Sequence, residues 1–313
     1  MFDIKKGVNL GGWMSQCDYS DDRLLNFITE KDIEKIASWG LDHVRLPVDY
    51  NVIQNNDLSI KKEGYALVGK AVELAKKHGL KIVIDLHKTL GYSFDKDEKE
   101  AGFFDNEKYQ ENFYKVWEEF AKLFGKMNDT VYFELLNEVT NQSYIDPWNR
   151  IWKTCVKRIR AFAPDSYIIV GSYNYNAVST VKYLERATDD KIVYNFHCYE
   201  PFKFTHQGAH WTDQIDQKAR VSFEESGTTT QYFEEMFKDA IDKAKEDNVN
   251  LYCGEYGVID VAKPEDALSW FKVINTVFEK YGIGRSAWSY KEMDFGLSDE
   301  RMDKVRDELI KHL

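Results

Sequence analysis

Proline and cysteine are both scarce in this sequence, at 5 and 4 of its 313 positions. The shortage of proline excludes a proline-rich linker or a collagen-like chain. The four cysteines, Cys17, Cys155, Cys198 and Cys253, have no CxxC spacing, so neither a zinc ribbon nor a disulfide framework is indicated. We therefore expect free, buried thiols in a globular chain that is long enough to enclose a large core.

Long apolar runs are also missing, since no segment reaches the ~18 residues that a membrane span requires. The start of the chain lacks the basic segment and the extended apolar stretch of a signal peptide. We expect a protein without a membrane partner that is either cytoplasmic or secreted with its signal removed.

Positive charge is in deficit, with 42 Lys and Arg against 53 Asp and Glu and a net charge of −11. Nucleic-acid backbones and anionic membranes attract basic surfaces, so neither is expected as the main partner. Aromatic residues make up 15% of the chain. A neutral ligand that stacks on aromatic rings fits this composition.

Eight short apolar runs alternate with eight helical patterns along the chain. The predicted strands are 6–10, 43–47, 81–87, 131–136, 167–171, 192–197, 250–254 and 285–290. The predicted helices are 31–39, 65–78, 107–127, 148–162, 177–186, 231–246, 265–281 and 298–313. This pattern predicts one (β/α)8 TIM barrel domain over residues 1–313, in the α/β class. The long connections 88–106 and 198–230 follow strands and are predicted cleft walls or lids.

Two of the predicted strands stop at a glutamate. The run Val131-Tyr-Phe-Glu-Leu-Leu136 ends on Asn137-Glu138, and the run that starts at Val249 ends on Glu255. Barrel enzymes keep their chemistry at the carboxyl ends of the strands, so the two carboxylates are predicted to face one pocket. Paired carboxylates suggest acid, base or nucleophile chemistry.

Other strands end on further polar or aromatic residues that are predicted to face the same pocket. These are Arg45, His87, His197, Tyr199 and Trp288. Each alone has an ordinary structural interpretation: an ion pair for the arginine, a loop contact for the histidines, and packing for the aromatic residues. Their joint occurrence around two glutamates favours an active site.

The same residues carry a resemblance to glycoside hydrolase family 5. Asn137-Glu138 and Gly254-Glu255-Tyr-Gly257 look like motifs of that family, and the five residues above fall where it has them. The likeness extends from Gly7-Val-Asn-Leu-Gly-Gly-Trp13 to Trp288-Ser-Tyr-Lys-Glu-Met-Asp-Phe295. The string 204–211 is similar to clostridial endoglucanases in particular. The stretch 211–251 departs from them, because it is shorter than the helical subdomain expected there.

The resemblance implies a retaining mechanism with non-equivalent carboxylates. Glu255 would be the nucleophile, held ionised by Arg45 and by a hydrogen bond from Tyr199. Glu138 would act as the acid and then as the base. His197 would orient Glu138 or move protons to it.

The resemblance also implies substrate contacts. Asn137 would donate to the sugar 2-hydroxyl, His87 would bind a neighbouring hydroxyl, and Trp288 would form an apolar floor. Trp211 is a candidate outer sugar contact. The implied activity is hydrolysis of internal β-1,4 linkages in cellulose-type and mixed-linkage β-glucans. The expected enzyme is a monomer that needs no cofactor and acts on a polysaccharide or an oligosaccharide.

Three alternatives stay open. The first is another family 5 specificity: β-mannanase, xyloglucanase or exo-β-glucosidase. The second is a metal-dependent barrel hydrolase with His87, His197, Glu138 and Glu255 as ligands, which the lack of an HxH pair on the first strand disfavours. The third is a silent sugar-binding barrel, which two intact glutamates disfavour.

A separate metal site at His206 and His210 is not predicted. Their i, i+4 spacing would suit a helix, but the neighbouring residues indicate a loop.

Overall fold

A computed structural model describes residues 2–313 of the chain as a closed barrel of parallel strands. The eight strands are β1 Lys6–Asn9, β2 His43–Asp49, β3 Lys81–Lys88, β4 Val131–Glu134, β5 Ile168–Gly171, β6 Ile192–Cys198, β7 Asn250–Tyr256 and β8 Gly284–Ala287. Each strand pairs with the next, and β8 closes on β1 with Gly7 opposite Ser286. The predicted (β/α)8 fold is confirmed.

Helices lie between the strands, as predicted. The longer ones are Glu30–Ser38, Lys62–Lys77, Glu107–Phe124, Ile145–Arg160, Thr230–Asp247 and Pro264–Tyr281. The shorter ones are Asp21–Asn26, Tyr50–Ile53, Tyr173–Asn176, Phe202–Thr205, Phe223–Ser226 and Arg306–Ile310, with 3-10 turns at Gln142–Tyr144, Val178–Tyr183 and Glu300–Met302. None of the helices in residues 2–313 is long and apolar enough to cross a membrane.

Two helix predictions were wrong in kind or in length. The predicted helix 177–186 is the 3-10 turn Val178–Tyr183, where β-branched residues are poor α-helix formers and the Thr180 hydroxyl donates to Ala177 O at 2.7 Å. The predicted helix 298–313 contains only two short helical pieces. Arg306 donates to the carbonyls of residues 297–299 and so holds that segment in a turn.

The interior of the barrel has an apolar layer below a polar one. Residues two apart on a strand face the same side, so Val83 and Asp85 both point inward, as do Tyr132 and Glu134. The apolar layer is closed from below by the amino-terminal segment of the chain. Its buried members are Phe2, Ile4, Val83, Tyr132, Tyr167, Ile169, Val193 and Tyr252. The polar layer lies one step nearer the carboxyl ends of the strands.

Tryptophans on the helices attach the outer ring to those strand ends. Trp117 donates from its indole to the carbonyl of Leu135 at 3.0 Å, and Trp148 donates to Gly171 O at 2.8 Å. Two further tryptophans of the helices, Trp152 and Trp270, are also fully buried. The ends of β4 and β5 are therefore anchored from outside the barrel. The four cysteines are unpaired, and only Cys17 is partly exposed.

We predict opposite stability effects for two glycines of the helix Lys62–Lys77. A Cβ on Gly64 would lie 1.8 Å from the backbone carbonyl oxygen of Val52, whereas one on Gly69 would meet no atom within 4 Å. Gly64→Ala should cost ~1–3 kcal/mol through overpacking. Gly69→Ala should gain ~0.5–1 kcal/mol because alanine loses less backbone entropy. Urea unfolding of both variants measures this difference, and equal midpoints would contradict it.

Candidate active site

A fully buried arginine, Arg45, lies at the centre of the polar layer. Its Nε and Nη2 donate to the two oxygens of Glu134 at 2.7 and 2.8 Å, and Nη1 donates to Glu255 Oε1 at 2.8 Å. Asp85 Oδ2 lies 3.0 Å from Nη2. Burial opposes the charge, but the three carboxylates raise the pKa of Arg45 well above its usual value. Arg45 is therefore a permanent cation inside the barrel.

Asparagines complete the hydrogen bonds around Arg45. Asn9 Oδ1 accepts from Nη1 and Asn137 Oδ1 accepts from Nη2, each at 2.9 Å. Asn195 donates to Glu134 Oε1 at 2.9 Å. The Nδ2 of Asn137 is buried and has no partner within residues 2–313. The cleft thus contains one amide donor that is free for a ligand.

Glu255 sits between two donors at the end of β7. Besides the bond from Arg45, its Oε2 accepts from the Tyr199 hydroxyl at 2.8 Å. Burial raises the pKa of Glu255 above its usual value, and Arg45, His87 and the Tyr199 hydrogen bond offset part of this increase. The ionised form of Glu255 therefore has direct partners that compensate part of the cost of its burial.

Glu138 has a different environment on the opposite side of the mouth. Its backbone φ is +33°, in the left-handed half of the map, and its Oε1 lies 2.8 Å from Nδ1 of His197. Burial, and then the charge of Glu255, raise the pKa of Glu138 well above its usual value. Arg45 makes no hydrogen bond to it among those found in residues 2–313. Of the two glutamates, Glu138 is the one that keeps a proton.

His197 joins the two carboxyl groups. Its Nδ1 lies 3.7 Å from Glu255 Oε2, and one ligand atom from each of Glu138, His197 and Glu255 falls within 4.8 Å of the others. Burial, Arg45 and His87 together lower the pKa of His197 well below 6.5. The imidazole is therefore neutral at physiological pH.

His87 and Trp288 form one wall of the cleft. Their rings are parallel, with centroids 6.0 Å apart, and the edge of Phe94 meets His87 at 5.0 Å. Nδ1 of His87 lies 2.6 Å from Asp85 Oδ2. Burial lowers the pKa of His87 to about 4, and burial raises the pKa of Asp85 to about 7 despite Arg45.

Trp211 lies at the outer edge of the site. It is 39% exposed, and its ring is 6.0 Å from that of His206, which in turn contacts the Tyr199 ring at 5.0 Å. His206 is buried, and burial lowers its pKa to about 3. His206 and His210 both follow the helix Phe202–Thr205, in agreement with the predicted loop.

A cavity of about 330 Å³ lies beside Phe94. The buried carboxylate of Asp49 accepts from the Tyr19 hydroxyl at 2.6 Å, and Lys88 donates to Glu98 at 2.6 Å. The lining comes from the loop after β1 and from the long connection after β3. The mouth of the barrel is therefore extended on this side.

The eight residues predicted at the strand ends thus lie around one cleft, with Trp211 at its edge. Sequence reasoning missed five buried polar residues that support them: Asn9, Asp85, Glu134, Asn176 and Asn195. For four of these a signal existed, since each is an isolated polar residue in an otherwise apolar strand run.

Comparisons with known proteins agree with this geometry. The family model described as "Cellulase (glycosyl hydrolase family 5)" matches residues 5–294. The chain is 59% identical to "Cellodextrinase A" of Ruminococcus flavefaciens over 282 residues, covering 90% of this chain and 84% of the relative. It is 36% identical to "Endoglucanase C" of Acetivibrio thermocellus over 337 aligned positions, covering 99% and 98%.

Solved structures are also similar to this chain over nearly its whole length. Cellulose synthase subunit Z of Clostridioides difficile superimposes with a TM-score of 0.84 at 26% identity, over 98% of this chain and 99% of that one. A hyperthermophilic endo-β-1,4-glucanase in complex with substrate gives 0.82 at 25% identity, over 97% and 96%.

We predict that Asp85→Asn changes how stability depends on pH. The pKa of Asp85 is about 7 in the fold against an ordinary 3.8, so the native state binds this proton more tightly than the unfolded chain. Its ionisation then removes stability as pH rises from about 4 to 7. Asparagine cannot ionise, so the variant should gain up to ~4 kcal/mol relative to the parent over that range.

Asp42→Asn is the matched control. Burial opposes the ionised form of Asp42, but the hydrogen bond from His43 and backbone donors lower its pKa overall. Its stabilising contribution is present above the unfolded pKa and is lost as pH falls. Between pH 4 and pH 7 the effect of Asp42→Asn on the free energy of unfolding should therefore be nearly constant, whereas that of Asp85→Asn should change with pH. Parallel changes in the two variants would contradict the assignment.

Proposed function

The chain belongs to glycosyl hydrolase family 5, whose members retain anomeric configuration, and we propose that it cleaves internal β-1,4 linkages of cellulose-type and mixed-linkage β-glucans. It is a glycoside hydrolase, and its substrate is a polysaccharide or an oligosaccharide. The names of the two relatives at 59% and 36% identity support a glucan. We further propose that residues 1–313 form one catalytic domain that acts as a monomer, since one chain supplies both glutamates and the residues that hydrogen-bond to them.

The observation that carries the mechanism is a buried pair of glutamates with unequal partners. Carboxyl groups ~5–5.5 Å apart are typical of retaining enzymes, against ~6.5–9.5 Å in inverting ones. One carboxyl oxygen of Glu138 and one of Glu255 lie within 4.8 Å of each other. This short separation leaves no room for a water between the sugar and Glu255, so direct attack is favoured.

In the first step, Glu255 attacks the anomeric carbon and the bond to the leaving oxygen breaks. Arg45 and Tyr199 donate to Glu255, so it is the carboxylate that is available as a nucleophile. Glu138 gives its proton to the leaving oxygen, which departs as an alcohol.

In the second step, Glu138 takes a proton from water while the water oxygen attacks the same carbon. The glycosyl bond to Glu255 breaks, and both glutamates return to their starting states. Because Glu255 is neutral while it is bonded to the sugar, the like charge that raises the pKa of Glu138 is absent. Glu138 can then serve as a base.

Four further residues are proposed substrate contacts. Asn137 has a free buried Nδ2 for the 2-hydroxyl, a contact that strengthens as the transition state forms. His87 presents its second ring nitrogen to a neighbouring hydroxyl, since Asp85 engages the first. Trp288 supplies an apolar floor beside His87. Trp211 contacts a sugar further along the chain.

The donor set argues against a metal-dependent reaction at this cleft. Glu138, His197 and Glu255 could in principle surround an ion. However, Arg45 already places a fixed positive charge 2.8 Å from Glu255, and a second cation there would be repelled. We expect activity to be insensitive to a chelator.

We predict different residual activities for Glu255→Ala and Glu138→Ala. Without Glu255, neither a glucan nor an aryl cellobioside can form the glycosyl-enzyme. Without Glu138, an aryl cellobioside with an acidic phenol should still give a burst of phenol, because its phenolate needs little protonation. Glucans should lose the ~10²–10⁴-fold that general acid catalysis provides. Azide, which needs no deprotonation, should restore turnover of the aryl substrate by Glu138→Ala and give the β-azide.

Circular dichroism of both variants is the control for folding. A burst in Glu255→Ala and none in Glu138→Ala would reverse the two roles.

We also predict the preference among polysaccharides. Glucose and mannose differ in the orientation of the 2-hydroxyl, and a site that hydrogen-bonds one orientation discriminates against the other. Carboxymethylcellulose, mixed-linkage β-glucan and cello-oligosaccharides should therefore release sugar faster than mannan. Product analysis across this panel tests it, and release from mannan alone would refute the glucan assignment. Early products of mixed lengths distinguish internal cleavage from exo-glucosidase action.

A further inference from the structure

A strained turn after β5 delivers a buried asparagine to His197. Asn174, Tyr175 and Asn176 have φ values of 53°, 57° and 55°, and each such residue costs ~1–3 kcal/mol. The next residue, Ala177, forms a parallel bridge with His197. Asn176 is fully buried, and a Cβ on Gly171 would lie only 2.2 Å from its Oδ1. The left-handed backbone of this turn and the absence of a side chain at Gly171 thus both allow the amide of Asn176 to occupy this position.

Asn176 contacts the ring nitrogen of His197 that faces away from the carboxyl groups. Its Nδ2 lies 3.5 Å from Nε2 of His197, while Nδ1 of the same ring lies 2.8 Å from Glu138 Oε1. A neutral imidazole has one donor and one acceptor nitrogen. The group that meets Nε2 therefore decides which nitrogen carries the proton.

We propose that Asn176 is a positioning residue that donates to Nε2 of His197 and so holds the imidazole proton on Nδ1, from which it is donated to Oε1 of Glu138. This inference rests on the proposed function, in which Glu138 is the acid and base.

The arrangement determines which oxygen of Glu138 carries the catalytic proton. Because Oε1 accepts from Nδ1, the acid proton is placed on Oε2, which makes no hydrogen bond to a residue in the described part of the chain. Oε2 is then directed to the leaving oxygen. In the second step the same donor stabilises the ionised carboxylate. The opposite tautomer would turn the acid proton toward His197 instead.

Among the other charges around His197, the carboxylate of Glu255 lies 3.7 Å from Nδ1 and favours a proton on the same nitrogen as Asn176 does. The charges that act on Glu138 come from β2, β3, β4 and β7, and those that act on His197 come from β2 and β3. They are Arg45, Asp85, His87, Glu134 and Glu255. Within residues 2–313, Asn176 is the one residue at hydrogen-bond distance from Nε2.

Asn176→Asp tests the proposal, because a carboxylate can only accept and draws a proton to Nε2. The variant should lose roughly 10- to 100-fold in kcat/KM on cellotetraose, a part of what acid catalysis supplies. It should lose less than about 3-fold on 2,4-dinitrophenyl β-cellobioside, whose first step needs no acid. Asn176→Leu has a similar volume but no donor. Its kcat/KM should also fall more on cellotetraose than on the aryl cellobioside, and the loss on cellotetraose should be smaller than that of Asn176→Asp.

Ser172→Ala is the matched control. Ser172 is buried in the same segment and donates to Thr180 O at 2.9 Å, but within residues 2–313 its hydroxyl makes no hydrogen bond to His197. Loss of this hydroxyl should lower the free energy of unfolding and leave the ratio of kcat/KM on the two substrates unchanged. If both Asn176 variants lose activity equally on the two substrates, as a purely structural residue would, the proposal is overturned.

The tautomer can also be measured without reference to activity. In enzyme with ¹⁵N-labelled histidine, two-bond ¹H–¹⁵N correlations should show the proton of His197 on Nδ1 in the parent and a proton on Nε2 in Asn176→Asp. His197→Asn assigns the signals among the seven histidines. A proton on Nε2 in the parent would refute the proposal. Glu138→Ala, run in both assays, shows separately whether the assignment of the acid has failed.

Discussion

The buried guanidinium of Arg45 holds together the polar layer inside the barrel, where it is surrounded by carboxyl groups. Burying an unpaired charge costs several kcal/mol, and Arg45 spreads its positive charge over Asp85, Glu134 and Glu255 through a planar fork of donors. A lysine, with one point charge and three donors, could not satisfy the same set of acceptors. One cation does not neutralise three carboxylates, so the pKa of Glu134 rises to about 6 through burial despite Arg45. Carboxyl groups of the site therefore keep their protons to a higher pH than exposed carboxyl groups do.

This imbalance makes the two glutamates chemically different. Both are buried, and burial alone would protonate both. Arg45 and Tyr199 donate to Glu255, whereas Glu138 meets a neutral imidazole and the charge of Glu255. Glu255, and not Glu138, thus receives the hydrogen bonds that favour the ionised form of a carboxyl group. An acid and a nucleophile thus coexist in one pocket at one pH.

The barrel and the strand-end residues could be predicted from sequence because both depend on local patterns. Alternating apolar runs and helical periods define the units, and each strand end is visible as the place where an apolar run stops. The inner polar layer was harder to predict from the sequence. In a parallel barrel both faces of a strand are buried, so periodicity does not show that Glu134, the one polar residue in its run, faces inward. Only the pairing of strands brings it to Arg45. The role of Asn176 could not be predicted from the sequence, because it depends on a left-handed turn and on a contact with another strand.

Several unfavourable backbone conformations lie at the mouth of the barrel. Glu138 and the segment 174–176 have positive φ, and contacts from neighbouring segments hold both. The Tyr92 hydroxyl donates to the backbone carbonyl of Glu138 at 2.6 Å. Trp148, on the helix Ile145–Arg160, donates to the carbonyl of Gly171, against which Asn176 packs. Strain of this size persists only where the surroundings fix the backbone more firmly than the residue itself would. The outer helices therefore contribute to the chemistry without touching the substrate, since they hold the strand ends that place the amide, the imidazole and the acid in line.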